Sequence, residues 1–241
     1  MADDSRKRRR VLHTSDLHLA FLGDSACHSL EALVDLAIKT KVDLVIVAGD
    51  LFDHNRVGDS LVSFVVEQLR RLPVYVAILP GNHDCLAQGS VFERAELWKN
   101  CANVRLLRVP HGETLDLPDL EISLWGKSHD SYERDMRPMA GIPRPQRNGW
   151  WHIVVAHGYY VSTVNPLFPS YHISHEEIVT SGWDYIALGH VVTFKCVCEE
   201  PVAYYCGSPS VTGTVAIVDL AEETGVQVTR YSLRDKQDDI M

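Results

Sequence analysis

The chain has 241 residues, of which 46% are hydrophobic and 23% charged, proportions that exclude a disordered or collagen-like chain and provide material for a buried core. Its 23 Lys and Arg stand against 32 Asp and Glu, and the net charge of -9 argues against binding nucleic acid or an anionic membrane with the whole surface. No apolar run approaches the roughly 18 residues of a transmembrane helix, and the N-terminus lacks the apolar core of a secretory signal. We therefore expect a cytoplasmic protein without a membrane partner.

The N-terminal half alternates predicted strands and helices. Residues 1–10 carry a basic run, which we interpret as a flexible N-terminus rather than an arm that binds nucleic acid. Apolar strands that alternate with helices predict a sheet buried on both faces. The strands are expected at residues 11–15, 42–48, 74–79 and 104–107, and the helices at about 30–38, 60–71 and 91–99.

The second half is richer in strands. A hairpin over 114–125 precedes a polar, Pro-containing loop over 127–149, whose role the sequence does not reveal. A short helix near 175–180 lies between apolar strands, which are expected at residues 153–156, 185–188, 202–206, 215–220 and 226–233. This order favours two sheets with helices outside them. Because no linker is visible, we predict a single domain over 11–233, followed by a C-terminal tail over 234–241.

Six cysteines include no C-x-x-C pair, so we expect reduced, mostly buried thiols. Cys196 and Cys198 alternate on a predicted strand, which would place both thiols on one face. A thiolate metal site is conceivable there, but two buried core cysteines are favoured.

Polar residues follow five of the apolar strands at the point where each strand ends. Asp, Asn and Gly are common turn residues, so none of these ends is informative alone. Because ligands bind at the carboxyl ends of strands in α/β sheets, we expect the five ends to meet in one crevice with metal-binding side chains. The glycines before them, Gly49, Gly81 and Gly189, suit positive φ or close backbone approach. The polar residues at these ends are Asp16, His18, Asp50, Asp53, Asn82, His83, Asp84, His157 and His190.

The succession Asp16-x-His18, Gly49-Asp50-x-x-Asp53, Gly81-Asn82-His83-Asp84, His157 and Gly189-His190 resembles the calcineurin-like metallophosphoesterases, over residues 11 to about 210. The flanking segments LHTSDLHL, AGDLFD, YIALGH and YYCGSP are similar to the branch that contains DNA double-strand-break repair exonucleases. The resemblance implies an α/β fold, a four-layer α/β/β/α sandwich of two mixed sheets, with a two-metal centre between the sheet edges.

The resemblance also implies roles for individual residues. Asp16 and His18 would bind the first metal, Asp50 would bridge both, and three others would complete the second site. His83 would act as general acid toward the leaving group, and Asp53 would orient it. Mn or Fe is expected, with Zn or Co also compatible, and metal-bound hydroxide would attack the phosphoester. The implied metal ligands are Asp16, His18, Asp50, Asn82, His157 and His190.

One position departs from the family pattern, in which the last motif is Gly-His-x-His. Here the motif reads Gly189-His190-Val191-Val192, so the first site keeps three protein ligands. Three ligands still hold a metal when water completes the shell, so we predict a weaker first site and a tight second one. Motif context leaves three other histidines open as substitutes for the missing ligand, namely His54, His172 and His175.

Three functions remain open. The first is a metal-dependent phosphoesterase acting on a small phosphodiester or phosphomonoester, and the second is a DNA exonuclease or endonuclease. The third is a non-catalytic protein that binds a ligand or partner, with an eroded metal site, although His83 and Asp53 argue against it.

The nuclease branch usually carries a further DNA-facing domain, which we expect this chain to lack. Acidity also disfavours nucleic acid, because affinity for duplex DNA comes largely from Lys and Arg. Exposed strand edges and Trp150-Trp151 permit a dimer. A local basic patch is conceivable in the loop, where a solvated surface is favoured, from Arg134, Arg137, Arg144 and Arg147.

Overall fold

A computed structural model describes residues 6–164 and 167–233. Residues 1–5 of the predicted flexible N-terminus and the predicted tail over 234–241 lie outside the described residues. The strands are β1 (Arg9–Thr14), β2 (Leu44–Ala48), β3 (Tyr75–Leu79), β4 (Val104–Leu106), β5 (Glu113–Leu117), β6 (Ile122–Gly126), β7 (Trp151–His157), β8 (Tyr159–Val161), β9 (His172–Ser174), β10 (Tyr185–Gly189), β11 (Phe194–Glu199), β12 (Val202–Cys206), β13 (Thr214–Ala221) and β14 (Gly225–Ser232). The α-helices are α1 (Ser25–Thr40), α2 (Asp59–Arg70), α3 (Ala95–Trp98) and α4 (His175–Val179).

Two six-stranded mixed sheets form the body of the protein. The first has the order β14-β13-β1-β2-β3-β4, in which β1 to β4 are parallel and β13 and β14 add antiparallel partners. The second has the order β11-β12-β10-β7-β6-β5, with four parallel central strands and an antiparallel strand at each edge. A small parallel pair, β8 and β9, was not predicted.

Alternation along β2 shows why the strands are apolar throughout. Val45 and Val47 pack beneath α1 and α2, whereas Leu44 and Ile46 face the second sheet. Both faces of the strand are therefore buried, and neither tolerates a polar side chain. This inner core between the sheets is continuous and apolar.

The outer face of the second sheet is covered more thinly. Val154 and Ile186 pack against Ile178 of α4 and against Met139 of the 127–149 loop. The layers therefore follow the predicted α/β/β/α order, with a five-residue helix and a loop forming the last one. Within the described ranges, no helix has both the length and the apolar character needed to cross a bilayer.

The helix predicted over 91–99 is wrong as a single element. A 3-10 turn (Val91–Glu93) precedes α3, and Arg94 between them has the non-helical angles φ -73 and ψ 68. The Arg94 guanidinium donates to the carbonyls of Asn55 and Val57, contacts that the helical pattern could not reveal.

Residues 6–10 are not a flexible end, since β1 begins at Arg9 and the preceding residues are held by ion pairs. Arg6 pairs with Asp184 at 2.8 Å and Lys7 with Glu121 at 2.7 Å, both on the second sheet's side. The Lys7 carbonyl accepts a hydrogen bond from Trp151, whose ring is buried. Trp151 is therefore a core residue and does not offer a dimer surface.

The prediction that Cys196 and Cys198 share a strand face is wrong. A bulge in β11 lets Cys196 oppose Tyr204 while Cys198 opposes the adjacent Ala203, so the two thiols lie on opposite faces. Both side chains are partly exposed and not buried.

Candidate metal centre

The carboxyl ends of strands from both sheets meet at one edge of the sandwich. Because the sheets stack face to face, the loops after β1, β2 and β3 lie opposite the ends of β7 and β10. The structure thereby brings together the side chains that the strand ends predicted. Among the described residues, groups able to hold an ion include Asp50, His157 and His190, and also Asp16, His18 and Asp50.

One half of the cluster centres on Asn82. Its amide oxygen lies 3.1 Å from Nε2 of His157 and 3.0 Å from Nδ1 of His190. Nε2 of His157 is also 3.1 Å from the Asp50 carboxylate, while its Nδ1 lies 2.8 Å from the Ala48 carbonyl. That carbonyl accepts the Nδ1 proton, so the other nitrogen faces the cluster.

The charges in this half are strongly coupled. Burial alone would raise the pKa of Asp50, but His157 holds it well below its usual range. Burial alone would lower the pKa of His157, yet the Asp50 carboxylate raises it. Burial, together with His157, lowers the pKa of His190 to about 4. A cation entering here would replace the His157 proton, since imidazole binds metals only when neutral.

The other half contains Asp16, His18 and Asp50. Nε2 of His18 lies 3.8 Å from a carboxylate oxygen of Asp16 and 3.8 Å from one of Asp50, which leaves a gap between them. Asp16 is 2% exposed, and its second oxygen accepts the main-chain N–H of His190 at 2.9 Å. The main-chain carbonyl of Asp16 is fixed by the Ser208 hydroxyl at 2.6 Å. The two halves thus share Asp50 and are tied by hydrogen bonds.

Glycine is required where the strands stop. A Cβ on Gly49, whose φ is +89, would lie 2.1 Å from Nδ1 of His157, and a Cβ on Gly81 would lie 2.1 Å from Asp50. A Cβ on Gly189 would lie 1.8 Å from the Ala48 carbonyl. The close approaches expected at these three glycines are confirmed.

Asp84 has a role that the sequence analysis did not assign. Its buried carboxylate accepts the N–H of Gly81 at 2.7 Å and that of Phe52 at 3.1 Å, which joins the loops carrying Asn82 and Asp50. Burial and the Asp50 charge raise the pKa of Asp84 to about 7. Its place in the Gly81-Asp84 motif was the available signal, but Asp after a strand is also an ordinary turn residue.

His83 lies at the open side of the cluster, with its side chain 43% exposed. Its Nδ1 lies 2.8 Å from the main-chain carbonyl of Asp53, which accepts its proton, and Nε2 is left to meet a substrate. The Asp53 carboxylate is 3.7 Å from Nδ1 of His83 but only 3.3 Å from Nδ1 of His18. The expected orientation of His83 by Asp53 therefore comes through the main chain.

Two further residues support the cluster from behind and were not predicted. The buried His129, in the 127–149 loop, places Nε2 2.8 Å from the carbonyl of His157. Tyr171 packs edge-on against His129 and His190, with ring centroids 4.7 and 5.7 Å apart. The loop thus helps to position a candidate ligand.

The proposed substitutes for the missing histidine are not members of the candidate ion-binding groups of the described residues. Val192 is partly buried, and its carbonyl accepts the Thr212 hydroxyl at 3.0 Å. His175 bonds to the Tyr160 hydroxyl at 3.1 Å, and the carbonyl of His172 accepts from Arg137. Over residues 6–164 and 167–233, the groups that could hold an ion include none of His54, His172 and His175.

The donor set fits divalent metal ions. Carboxylate, amide and imidazole groups bind Mn, Fe, Zn or Co, and the buried charge of Asp16 and Asp50 favours cations. Asp50 belongs to both groups and so stands where a bridging ligand would.

Comparisons with known proteins agree with this geometry. The sequence profile of the family described as "Calcineurin-like phosphoesterase" matches residues 9–194. The uncharacterized metallophosphoesterase YhaO of Bacillus subtilis is 28% identical over 219 residues, covering 82% of this chain and 52% of that protein. The DNA double-strand break repair protein Mre11 of Sulfurisphaera tokodaii is 25% identical over 198 residues, covering 77% and 49%. The chain thus spans about half the length of these curated relatives.

A solved structure shows the same fold at low sequence identity. The protein TT1561 of Thermus thermophilus superposes with a TM-score of 0.63 at 15% identity, covering 95% of this chain and all of that one. The two proteins therefore share their architecture.

Proposed function

Because the chain belongs to the calcineurin-like phosphoesterase family, we propose that it hydrolyses a phosphodiester or phosphomonoester at the cluster between the sheet edges. The observation that carries the proposal is the convergence of six candidate metal ligands beside an accessible histidine, His83. Those six are Asp16, His18, Asp50, Asn82, His157 and His190.

We assign the ligands to two positions. Asn82, His157 and His190 would hold one divalent ion and Asp16 with His18 the other, with Asp50 shared. The proposed metals are Mn or Fe, with Zn or Co also compatible with the donors. Two such ions lower the pKa of a water and neutralise the charge of a phosphoryl group.

His83 supplies the proton in this proposal. Its Nδ1–H is held by the Asp53 carbonyl, so Nε2 is the nitrogen that can donate to the departing oxygen. Partial exposure of the ring leaves room for a substrate to approach it.

DNA hydrolysis is the second candidate, favoured by the similarity to the Mre11 repair protein. The basic side chains of the loop offer little free positive charge for binding DNA. Arg137 pairs with Glu177 and Arg147 with Asp116, each at 2.7 Å, so half of the loop arginines are already engaged by carboxylates. A small phosphoester is therefore the substrate that we favour.

Activity assays distinguish the candidates. Protein with added Mn²⁺ is tested on bis-p-nitrophenyl phosphate, p-nitrophenyl phosphate, and single- and double-stranded DNA, beside His83→Ala. We expect turnover of the aryl esters that falls by about 100-fold or more in His83→Ala, since general acids contribute about that much. The metal content of the variant should be unchanged.

Each other outcome has a clear meaning. Degradation of DNA at a rate that depends on His83 would favour the nuclease. Turnover equal in both proteins, or absent from both, would contradict catalysis by this site and favour a ligand-binding or partner-binding role.

A further inference from the structure

The carboxylate of Asp53 lies closer to a candidate metal ligand than to the candidate acid. We propose that Asp53 is a positioning residue for His18 and strengthens metal binding at the position formed by Asp16, His18 and Asp50. This inference rests on the proposed metal centre and concerns how its two positions differ.

The distances distinguish the two histidines. Oδ1 of Asp53 lies 3.3 Å from Nδ1 of His18 and 3.7 Å from Nδ1 of His83. The Nδ1–H of His83 is already directed to the Asp53 carbonyl at 2.8 Å. Nδ1 of His18 is shielded from solvent and makes no hydrogen bond of good geometry, so the carboxylate of Asp53 is the acceptor within its reach.

The main chain holds the two groups face to face. Asp53 donates its N–H to the Leu19 carbonyl at 3.0 Å, next to an isolated bridge between Leu19 and Phe52. His18 in turn donates its N–H to the Asp50 carbonyl at 3.1 Å. The loops after β1 and β2 are therefore hydrogen-bonded to each other on both sides of the contact between Asp53 and His18.

This arrangement orients the imidazole for a cation. With its proton on Nδ1 facing Asp53, His18 presents the lone pair of Nε2 to the gap beside Asp16 and Asp50. A carboxylate behind a ligating histidine fixes the tautomer and raises the basicity of the ligand, and its loss typically weakens metal binding about 10- to 100-fold. The effect matters most here because this position has three protein ligands.

The test measures Mn²⁺ binding to the full chain by titration calorimetry and by the electron paramagnetic resonance of free Mn²⁺. In Asp53→Asn we expect one equivalent to bind as before and the other about 10- to 100-fold more weakly. Asn keeps the main-chain carbonyl that holds His83. Asp53→Glu should restore part of the lost affinity, a rescue that general damage to the fold would not show.

His83→Asn is the matched control, because it removes the other neighbour of the Asp53 carboxylate. It should lose turnover while both Mn²⁺ equivalents keep their affinity. Two unchanged equivalents in Asp53→Asn, or an equal weakening in His83→Asn, would overturn the inference alone. If the unsubstituted chain bound no Mn²⁺, the proposed function would fail with it.

Discussion

Four of the candidate ligands adopt a backbone conformation that is costly for residues with a side chain. Asp16, His18, Asp50 and His190 have φ values of 54, 51, 54 and 94. Such residues cost on the order of 1 to 3 kcal/mol each and persist where the surroundings over-determine them. Here the constraint comes from the Ser208 hydroxyl, the Asp84 carboxylate and the main-chain hydrogen bonds between the loops after β1 and β2.

At Val192 a single side chain is predicted to set how tightly the first metal binds. Val192→His should place an imidazole two residues from His190 and raise Mn²⁺ affinity by at least about tenfold, or ~1.4 kcal/mol. The measurement is metal content after dialysis together with the rate at limiting Mn²⁺. Val191→His is the control, because Val191 packs into the core outside the second sheet. Retention of two equally tight equivalents by the unsubstituted chain would contradict the prediction.

The site depends on strands that end in contact with one another. The end of β10 lies directly against the end of β2, since Gly189 has no room for a Cβ beside the Ala48 carbonyl. The same carbonyl accepts from Nδ1 of His157 at the end of β7. The ends of β2, β7 and β10, which belong to two different sheets, therefore meet at the Ala48 carbonyl.

Gly189→Ala tests whether stability and metal binding depend on this contact between strand ends. The new Cβ would lie 1.8 Å from the Ala48 carbonyl, so the strand ends must separate, and we expect a loss of about 3 kcal/mol of unfolding free energy with weaker Mn²⁺ binding. Urea unfolding and calorimetry provide the two measurements. Gly58→Ala serves for comparison, because its Cβ would meet only Ser60 at 3.8 Å, and it should cost less than about 1 kcal/mol. Equal losses in both variants would refute the packing argument.

The two ends of the sandwich have different chemistry. The carboxyl ends of the parallel strands carry the polar cluster, whereas the opposite end is closed by the N-terminal basic run. Arg6 and Lys7 pair with carboxylates on the second sheet's side, and Arg8 and Arg10 with Glu223 and Asp219 near the first. Exposed pairs stabilise little individually, but they leave this run with few free charges for nucleic acid.

A buried histidine in the core between the two sheets makes the free energy of unfolding sensitive to acid. Burial lowers the pKa of His13, on β1, to about 3, and its Nδ1 lies 2.8 Å from the Tyr185 hydroxyl across the sheets. The unfolded chain, with a pKa near 6.5, therefore binds the proton first as the pH falls. The contribution of neutral His13 to the free energy of unfolding is therefore complete above about pH 6.5 and declines steadily toward pH 3.

Lowering the pH from 7 to 5 should reduce the free energy of unfolding by about 2 kcal/mol through His13 alone. Guanidinium unfolding at both pH values should thus show a smaller acid loss in His13→Gln than in the unsubstituted chain, whatever the variant costs at pH 7. His28→Gln, at an exposed position, is the control. An identical acid loss in the unsubstituted chain and His13→Gln would rule out the assigned cause.

The strands and the residues at their ends could be predicted from the sequence because both are local properties. Strands buried on two faces read as continuous apolar runs, and the residue types that follow them are those that bind metals. The order of the strands also favoured two sheets, which the described residues confirm, and the resemblance to a known family added the four-layer order. The break at Arg94 and the bulge in β11 were missed because they depend on partners outside their own segments.

The order of residues along the chain identifies the side chains that are available for the centre and the strands that carry them. Which of them face one another depends on the folded arrangement: Asp53 faces His18, Asp84 lies between two loops, and His129 lies behind His157. The reason is that local patterning specifies the direction of a side chain relative to its own strand. Contacts such as that of Arg6 with Asp184, 178 residues apart, depend on how the two sheets stack.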